Sequence, residues 1–149
     1  MIETMEIRKA TINDLEQLSK LFDAYRVFYK KESDIDAAKI FLEDRLKNKD
    51  SELFVAVTND LVFAGFVQLY PIFSSTRMRR LWLLNDLYVR PNYRGKRISV
   101  LLIDKAKELS VQTNSAGLIL ETAKSNEIGN SLYLKTGFVL DEEHNYYSF

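Results

Sequence analysis

Cysteine is absent from the 149-residue chain, which excludes disulfides, thiolate metal sites and a cysteine nucleophile, and fits a reducing compartment. Histidine occurs once, as His144, so a metal site has no second imidazole or thiolate to build on, and a surface or turn position is expected for it. Neither sign of charge is in excess. Twenty-one Lys plus Arg balance 21 Asp plus Glu, so no global field draws the protein to nucleic acid or to an anionic membrane, and any basic site must be local. No apolar run approaches the roughly 18 residues of a membrane span, and the start MIETMEIRKA carries Glu3 and Glu6 among its apolar residues. A soluble, cytoplasmic protein with no nucleic-acid or membrane partner is expected. Repeats, linkers and low-complexity tracts are missing too. A chain of 149 residues that is 46% hydrophobic supplies one sizeable core but not two, so residues 1–149 are read as a single domain.

What is present is a regular alternation of periodicities. Met5 to Arg8 reads as a short strand, and Leu15, Leu18, Phe22, Tyr25 and Phe28 then recur at helical spacing, with Asn13 and Glu16 placed as a capping box. A second helix is expected from Asp34 to about Lys47, capped by Ser33. ELFVAVT and LVFAGFVQLY flank Asn59-Asp60 as a hairpin with a tight turn, and Leu81 to Val89 forms a third strand. Beyond Pro91 the pattern turns helical, with Ile98, Leu101, Leu102, Ala106 and Leu109 on one face. GLILET reads as a strand, NEIGNSLYLKT as a helix stopped by Gly137, and FVL and NYYSF as closing strands. This order predicts an α/β (α+β) fold with one strand-to-helix crossover in the middle.

That crossover carries the most informative stretch, LNDLYVRPNYRGKRIS, Leu84 to Ser99. A strand ending at Val89 and feeding a helix near Ile98 leaves the first helical amides without intrahelical partners, a ready anion site. Arg94, Lys96 and Arg97 add formal charge that a pyrophosphate would neutralise, and Gly95 permits a conformation that a Cβ would penalise. The loop holds neither a Gly-Lys-Ser/Thr nor a Gly-x-Gly-x-x-Gly fingerprint. A solvated basic turn explains the same residues, so the loop alone does not name a ligand.

Two motifs together resemble the GNAT superfamily of acyl-CoA-dependent N-acyltransferases. The first is an apolar strand followed by Arg/Gln-x-x-Gly-x-Gly/Ala, matched by Arg94-Gly95-Lys96-Arg97-Ile98-Ser99, with Arg97 and Ser99 at two of the pattern's small positions. The second is NEIGNSLYLKTGF, with Asn126, Leu132-Tyr133 and Gly137-Phe138 at the family's spacing. The resemblance covers Leu81 to Phe149 well, and Met1 to Tyr70 in its order of elements. It implies a mostly antiparallel mixed sheet flanked by about four helices, with acetyl-CoA as co-substrate. It also implies that backbone groups of Leu87, Tyr88 and Val89 meet the pantetheine arm and thioester, and that Arg94 to Val100 (Arg94, Gly95, Lys96, Arg97, Ile98, Ser99, Val100) bind the pyrophosphate. By the same resemblance Asn126 meets the pantetheine or nearby CoA atoms, Tyr133 sits near the sulfur, and the first two helices border the acceptor.

Amine acylation needs a base, a donor to the thioester oxygen and an acid for the thiolate. A primary amine is mostly protonated at neutral pH, so a carboxylate, or a water bound to one, must take its proton. Glu121, five residues before Asn126, is the first candidate by the spacing of enzymes resembling the ribosomal-protein alanine acetyltransferase. Asp86, an acid within the apolar run WLLNDLYV, is the second, although it could equally hold a neighbouring loop. Tyr133 is the candidate acid. A backbone amide in Leu87 to Val89 would polarise the thioester oxygen, and no covalent enzyme intermediate is required. Tyr25, Arg26 and Tyr29 end the first helix and are candidates for the acceptor site, Arg26 as partner to a substrate carboxylate. Trp82 reads as core. The expected activity is acetyl transfer to a small-molecule or peptide amine, with an acyl-CoA-binding module without turnover, or a nucleotide-binding domain, as alternatives. The aromatic NYYSF segment suggests a homodimer interface.

Overall fold

The computed structural model describes residues 4–149. Strand β1 (Met5–Lys9) passes through a 3-10 turn into helices α1 (Leu15–Phe28) and α2 (Ile35–Asn48). Strands β2 (Glu52–Thr58), β3 (Phe63–Ser74) and β4 (Arg79–Val89) follow, and a second 3-10 turn, Pro91–Tyr93, leads to α3 (Ile98–Gln112). Strand β5 (Leu118–Ile119) and helix α4 (Glu127–Lys135) complete the regular structure. The sheet order is the chain order, antiparallel from β1 through β4 and parallel between β4 and β5, where α3 supplies the crossover. Among the described residues this is an α/β fold with a mixed, mostly antiparallel sheet and four α-helices.

Strand β2 is apolar on both faces because both are covered. Leu53, Val55 and Val57 pack with Leu18, Leu21 and Leu42 of α1 and α2, whereas Phe54 and Ala56 pack with Ile98, Leu102, Ile103 and Ala106 of α3. Burying each such large side chain stabilises the fold by about 1.5–3 kcal/mol. Trp82 belongs to the α3 layer, its indole N–H donating to Thr113 Oγ1 at 2.8 Å.

Several local expectations are corrected. The box before α1 is Thr11 with Asp14, not Asn13 with Glu16: the Thr11 amide donates to Asp14 Oδ2 at 2.7 Å, and Glu16 instead accepts from Lys39 on α2 at 2.9 Å. Asp34 rather than Ser33 caps α2, accepting from the Ala37 amide at 3.0 Å, because Ser33 is held by Asp23. The β2–β3 turn runs over four residues, Asn59 to Val62, with Leu61 at φ 64°. The expected strands FVL and NYYSF are irregular, and of GLILET only Leu118 and Ile119 pair. Val139 is 90% exposed and Tyr147 89%, so no burial offsets the entropy of fixing an extended chain there. Among the described residues no helix is long and apolar enough to cross a membrane.

Candidate active site

The site begins as a defect in the sheet. Gln68 pairs with Asp86 and Leu69 with Leu84, so Asn85 is an extra residue on β4, and such a bulge bends its strand and re-aims its side chains. On the other edge β5 pairs with β4 only at Trp82 and Leu83. From Leu84 onward the two segments are unpaired, and a cleft of about 420 Å³ opens between them. Leu84, Asn85 and Leu87 form one wall, Glu121, Thr122 and Ala123 the other, with Tyr133 of α4 and Tyr25 and Tyr29 of α1 completing the lining.

Tyr133 is placed by the way α4 ends. The Phe138 amide donates to the Tyr133 carbonyl at 3.0 Å and the Gly137 amide to Leu134 at 3.2 Å, with Gly137 at φ +97°. This is the Schellman geometry, in which an apolar contact joins the two outer residues. Here the rings of Tyr133 and Phe138 meet edge to face at 5.8 Å, which gives the Leu-Tyr…Gly-Phe spacing a physical cause. The Tyr133 hydroxyl has no hydrogen-bond partner among the described residues. Burial, with a smaller contribution from Tyr29, pushes its pKa up to about 12, so it remains a proton donor throughout the neutral range. At the other end of α4, Asn126 caps the helix: Oδ1 accepts from the Gly129 amide at 3.1 Å, and Nδ2 donates to Thr122 Oγ1 at 3.0 Å. Its amide is committed to joining the cleft wall to α4.

Asp86 lies behind the cleft rather than in its wall, 7% exposed. Its carboxylate accepts from the Tyr25 hydroxyl at 2.9 Å, Gln68 Nε2 at 2.9 Å and Asn85 Nδ2 at 3.1 Å. Burial first, then the neighbouring Asp86 charge, raises the Tyr25 pKa. Glu121 differs in both respects, being exposed on the wall and without a hydrogen-bond or ionic partner among the described residues. Arg26 does not line the cleft; its guanidinium donates to the Glu32 carbonyl at 3.0 Å.

The basic loop divides its charges. Arg94 turns back to the strand, Nε donating to the Val89 carbonyl at 3.0 Å with the guanidinium over Phe28 (4.7 Å) and Tyr88 (5.7 Å). Lys96 lies 5.3 Å from the Tyr93 ring. Gly95 has φ 79°, and a Cβ there would meet nothing within 4 Å, so the space beside it is open. Arg97, with no side-chain partner among the described residues, caps α3 at φ 63°. The first intrahelical bond of α3 runs from the Leu101 amide to the Arg97 carbonyl, leaving the amides of Ile98, Ser99 and Val100 free toward the loop. Of the strand candidates, Leu87 faces the cleft, Val89 packs on the α3 side, and Tyr88 is buried on the opposite layer.

The model of the Acetyltransferase (GNAT) family matches residues 15–138. The chain belongs to the GNAT acetyltransferase family. Among its GNAT relatives, an uncharacterized N-acetyltransferase of Bacillus subtilis, YhfO, is 40% identical over 137 residues, covering 92% of this chain and 91% of that one. A crystal structure of a probable acetyltransferase has 34% identity and a TM-score of 0.93, covering 97% and 96% of the two chains. The fold is shared with AAC(6')-Iy, solved with the bisubstrate analogue CoA-S-monomethyl-acetylneamine, at TM-score 0.81, 20% identity and 98% coverage of each chain. As a GNAT member the protein is an acetyltransferase. Leu84, Asn85, Thr122 and Ala123 of the cleft escape a reading of motifs. The adjacent polar pair Asn85-Asp86 inside an apolar strand was the available sign of the bulge that brings them in.

Proposed function

We propose that the protein moves an acetyl group from acetyl-CoA to a primary amine by direct attack in a ternary complex. The observation that carries this reading is the cleft between β4 and β5, whose lining has a carboxylate and a phenol that are unpartnered among the described residues, and which adjoins a strand that leads to the first amides of α3. The donor fits the residues present. The Ile98, Ser99 and Val100 amides and Arg97 would hold the pyrophosphate beside the open space at Gly95, and the unpaired edge of β4 at Leu87 to Val89 would hold the pantetheine arm. Bound acetyl-CoA supplies an activated acyl group and a thiolate leaving group.

The chain's own residues then divide three tasks. Glu121, directly or through a water, takes the proton that an amine with pKa near 10 carries at neutral pH. Asp86 is the weaker candidate, because three donors already occupy its oxygens and Tyr25 stands between it and the cleft. A β4 amide polarises the thioester carbonyl. Tyr133, kept protonated by burial, donates to the departing sulfur.

The test is release of free CoA from acetyl-CoA over a panel of amines. Tyr133→Phe should lower kcat about 100-fold, as loss of a general acid does, with the KM for acetyl-CoA within about threefold. Amine-independent binding of acetyl-CoA with no CoA release for any amine would replace this reading by a binding module.

A further inference from the structure

We infer that the acceptor is an amine free of carboxylate and phosphate, recognised as a cation by a cleft built of hydrogen-bond acceptors and aromatic faces. This rests on the acetyl-transfer reading above and specifies its substrate class. Among the described residues, Glu121 is the one formally charged residue in the lining. Asp86, although outside the lining, sets the polarity of the wall. A carboxylate is acceptor-only, so it turns its neighbours' donors inward. The Tyr25 hydroxyl has a single proton, which goes to Asp86 Oδ1 at 2.9 Å, and the amide nitrogen of Asn85 is aimed at Asp86 Oδ2 at 3.1 Å. Toward the cleft, Tyr25 can therefore only accept. Asn85 shows its carbonyl oxygen, which has no partner among the described residues.

The arginines that might have received an acceptor's carboxylate are occupied elsewhere. Arg26 donates to the Glu32 carbonyl, and Arg94 donates to the Val89 carbonyl with its charge over Phe28 and Tyr88, neither of which lines the cleft. The rings of Tyr25 and Tyr29 meet edge to face at 5.1 Å, and the electron-rich faces of such rings attract ammonium groups. An ammonium entering this space gains acceptors and π faces. A carboxylate entering it meets Glu121 and these lone pairs; the Tyr29 and Tyr133 hydroxyls can donate to it, but no cation among the described residues of the lining answers its charge.

The experiment compares kcat/KM for tyramine with tyrosine and cadaverine with lysine, each pair differing by one carboxylate. The carboxylate-free member should be preferred at least tenfold in the first pair, where the carboxylate lies beside the reacting nitrogen, and less in the second. Ala123→Arg places a cation on the exposed part of the wall without disturbing the core and should reduce the tyramine preference at least tenfold. Equal rates within the tyramine pair, preference for tyrosine, or a ratio that Ala123→Arg leaves unmoved overturns the inference while leaving acetyl transfer intact. No CoA release with any of the four amines overturns both.

Discussion

Arg97 occupies, at φ 63°, a position that the family pattern gives to glycine, and the left-handed conformation explains the pattern better than size does. For a residue with a Cβ that conformation costs about 1–2 kcal/mol, whereas glycine there would lose about 0.5–1 kcal/mol more backbone entropy on folding. The two effects oppose each other, so Arg97→Gly should move the unfolding free energy by less than about 1 kcal/mol. What it removes is a guanidinium that has no partner among the described residues, so acetyl-CoA should bind about tenfold more weakly in low salt and lose less affinity as salt rises. Calorimetric titration at two ionic strengths checks both, and unchanged affinity would take Arg97 out of the pyrophosphate site. A second residue-scale expectation concerns acid. Arg8 donates to both oxygens of Asp14 at 2.8 Å, and this hydrogen bonding, with the Thr11 amide helping, holds the Asp14 pKa below its usual 3.8. A depressed carboxylate stabilises the fold above the unfolded pKa, and the contribution fades as pH falls through the lower folded value. Asp14→Asn should therefore cost about 2 kcal/mol near neutrality and flatten the acid limb of the stability curve below about pH 4. An acid limb as steep as that of the parent protein would assign that loss to other carboxylates.

At the scale of elements, α4 is an instrument for holding Tyr133, and its C-terminal end was legible in the sequence. Gly137 stops the helix and forms a Schellman ending with Phe138, whereas Asn126, expected within the helix and on CoA, is its N-cap, and its side chain also ties Thr122 of the cleft wall. Asn126→Ala should cost about 1 kcal/mol of stability and lower kcat several-fold by loosening Tyr133 against Glu121, with acetyl-CoA affinity nearly retained. A larger loss in affinity than in kcat would instead place the Asn126 amide on the CoA. The strands β2, β3 and β4 and the crossover to α3 were legible because their apolar runs are long and two-sided. N-terminal caps were not. Thr11, Asn13 and Asp14, or Ser33 and Asp34, are chemically similar neighbours, and the choice between them falls to tertiary partners such as Arg8 and Asp23. The closing strands failed for a related reason: aromatic composition makes NYYSF look extended, yet a strand exists only where an edge receives it, and β5 offers two paired residues. Of the candidates that the family resemblance pointed to, Glu121, Tyr133, Tyr25, Tyr29 and Leu87 line one cleft. Arg26 could not be sorted from them, because helical periodicity does not show that a carbonyl on the following loop captures its guanidinium.

For the whole molecule, the cleft divides the architecture unevenly. Strands β1 to β4 are laced by antiparallel ladders interrupted only by bulges, and β2 and the centre of β3 are covered on both faces, whereas β5 is paired with β4 at two positions and α4 follows it. A donor lying along β4 from the α3 amides to Tyr133 would bridge the two parts. Binding the folded state alone at about 100 times the dissociation constant adds roughly 2.7 kcal/mol, which for a chain of this length is a rise in Tm of roughly 5–10 °C. Acetyl-CoA should produce this rise and ATP should not, since adenine and phosphates without the pantetheine arm leave the β4 edge empty. The distribution of the effect is more telling than its size. Backbone amides between Leu120 and Phe138 are expected to exchange through local opening of the weakly joined part and those of buried β2 and β3 through the global transition, so acetyl-CoA should slow hydrogen exchange of the former more than of the latter. Protection confined to the loop at Gly95 and the start of α3, with 120–138 unchanged, would mean that the anion site works but the cleft is not the channel for the acyl arm, and the assignments of Glu121 and Tyr133 would fall with it.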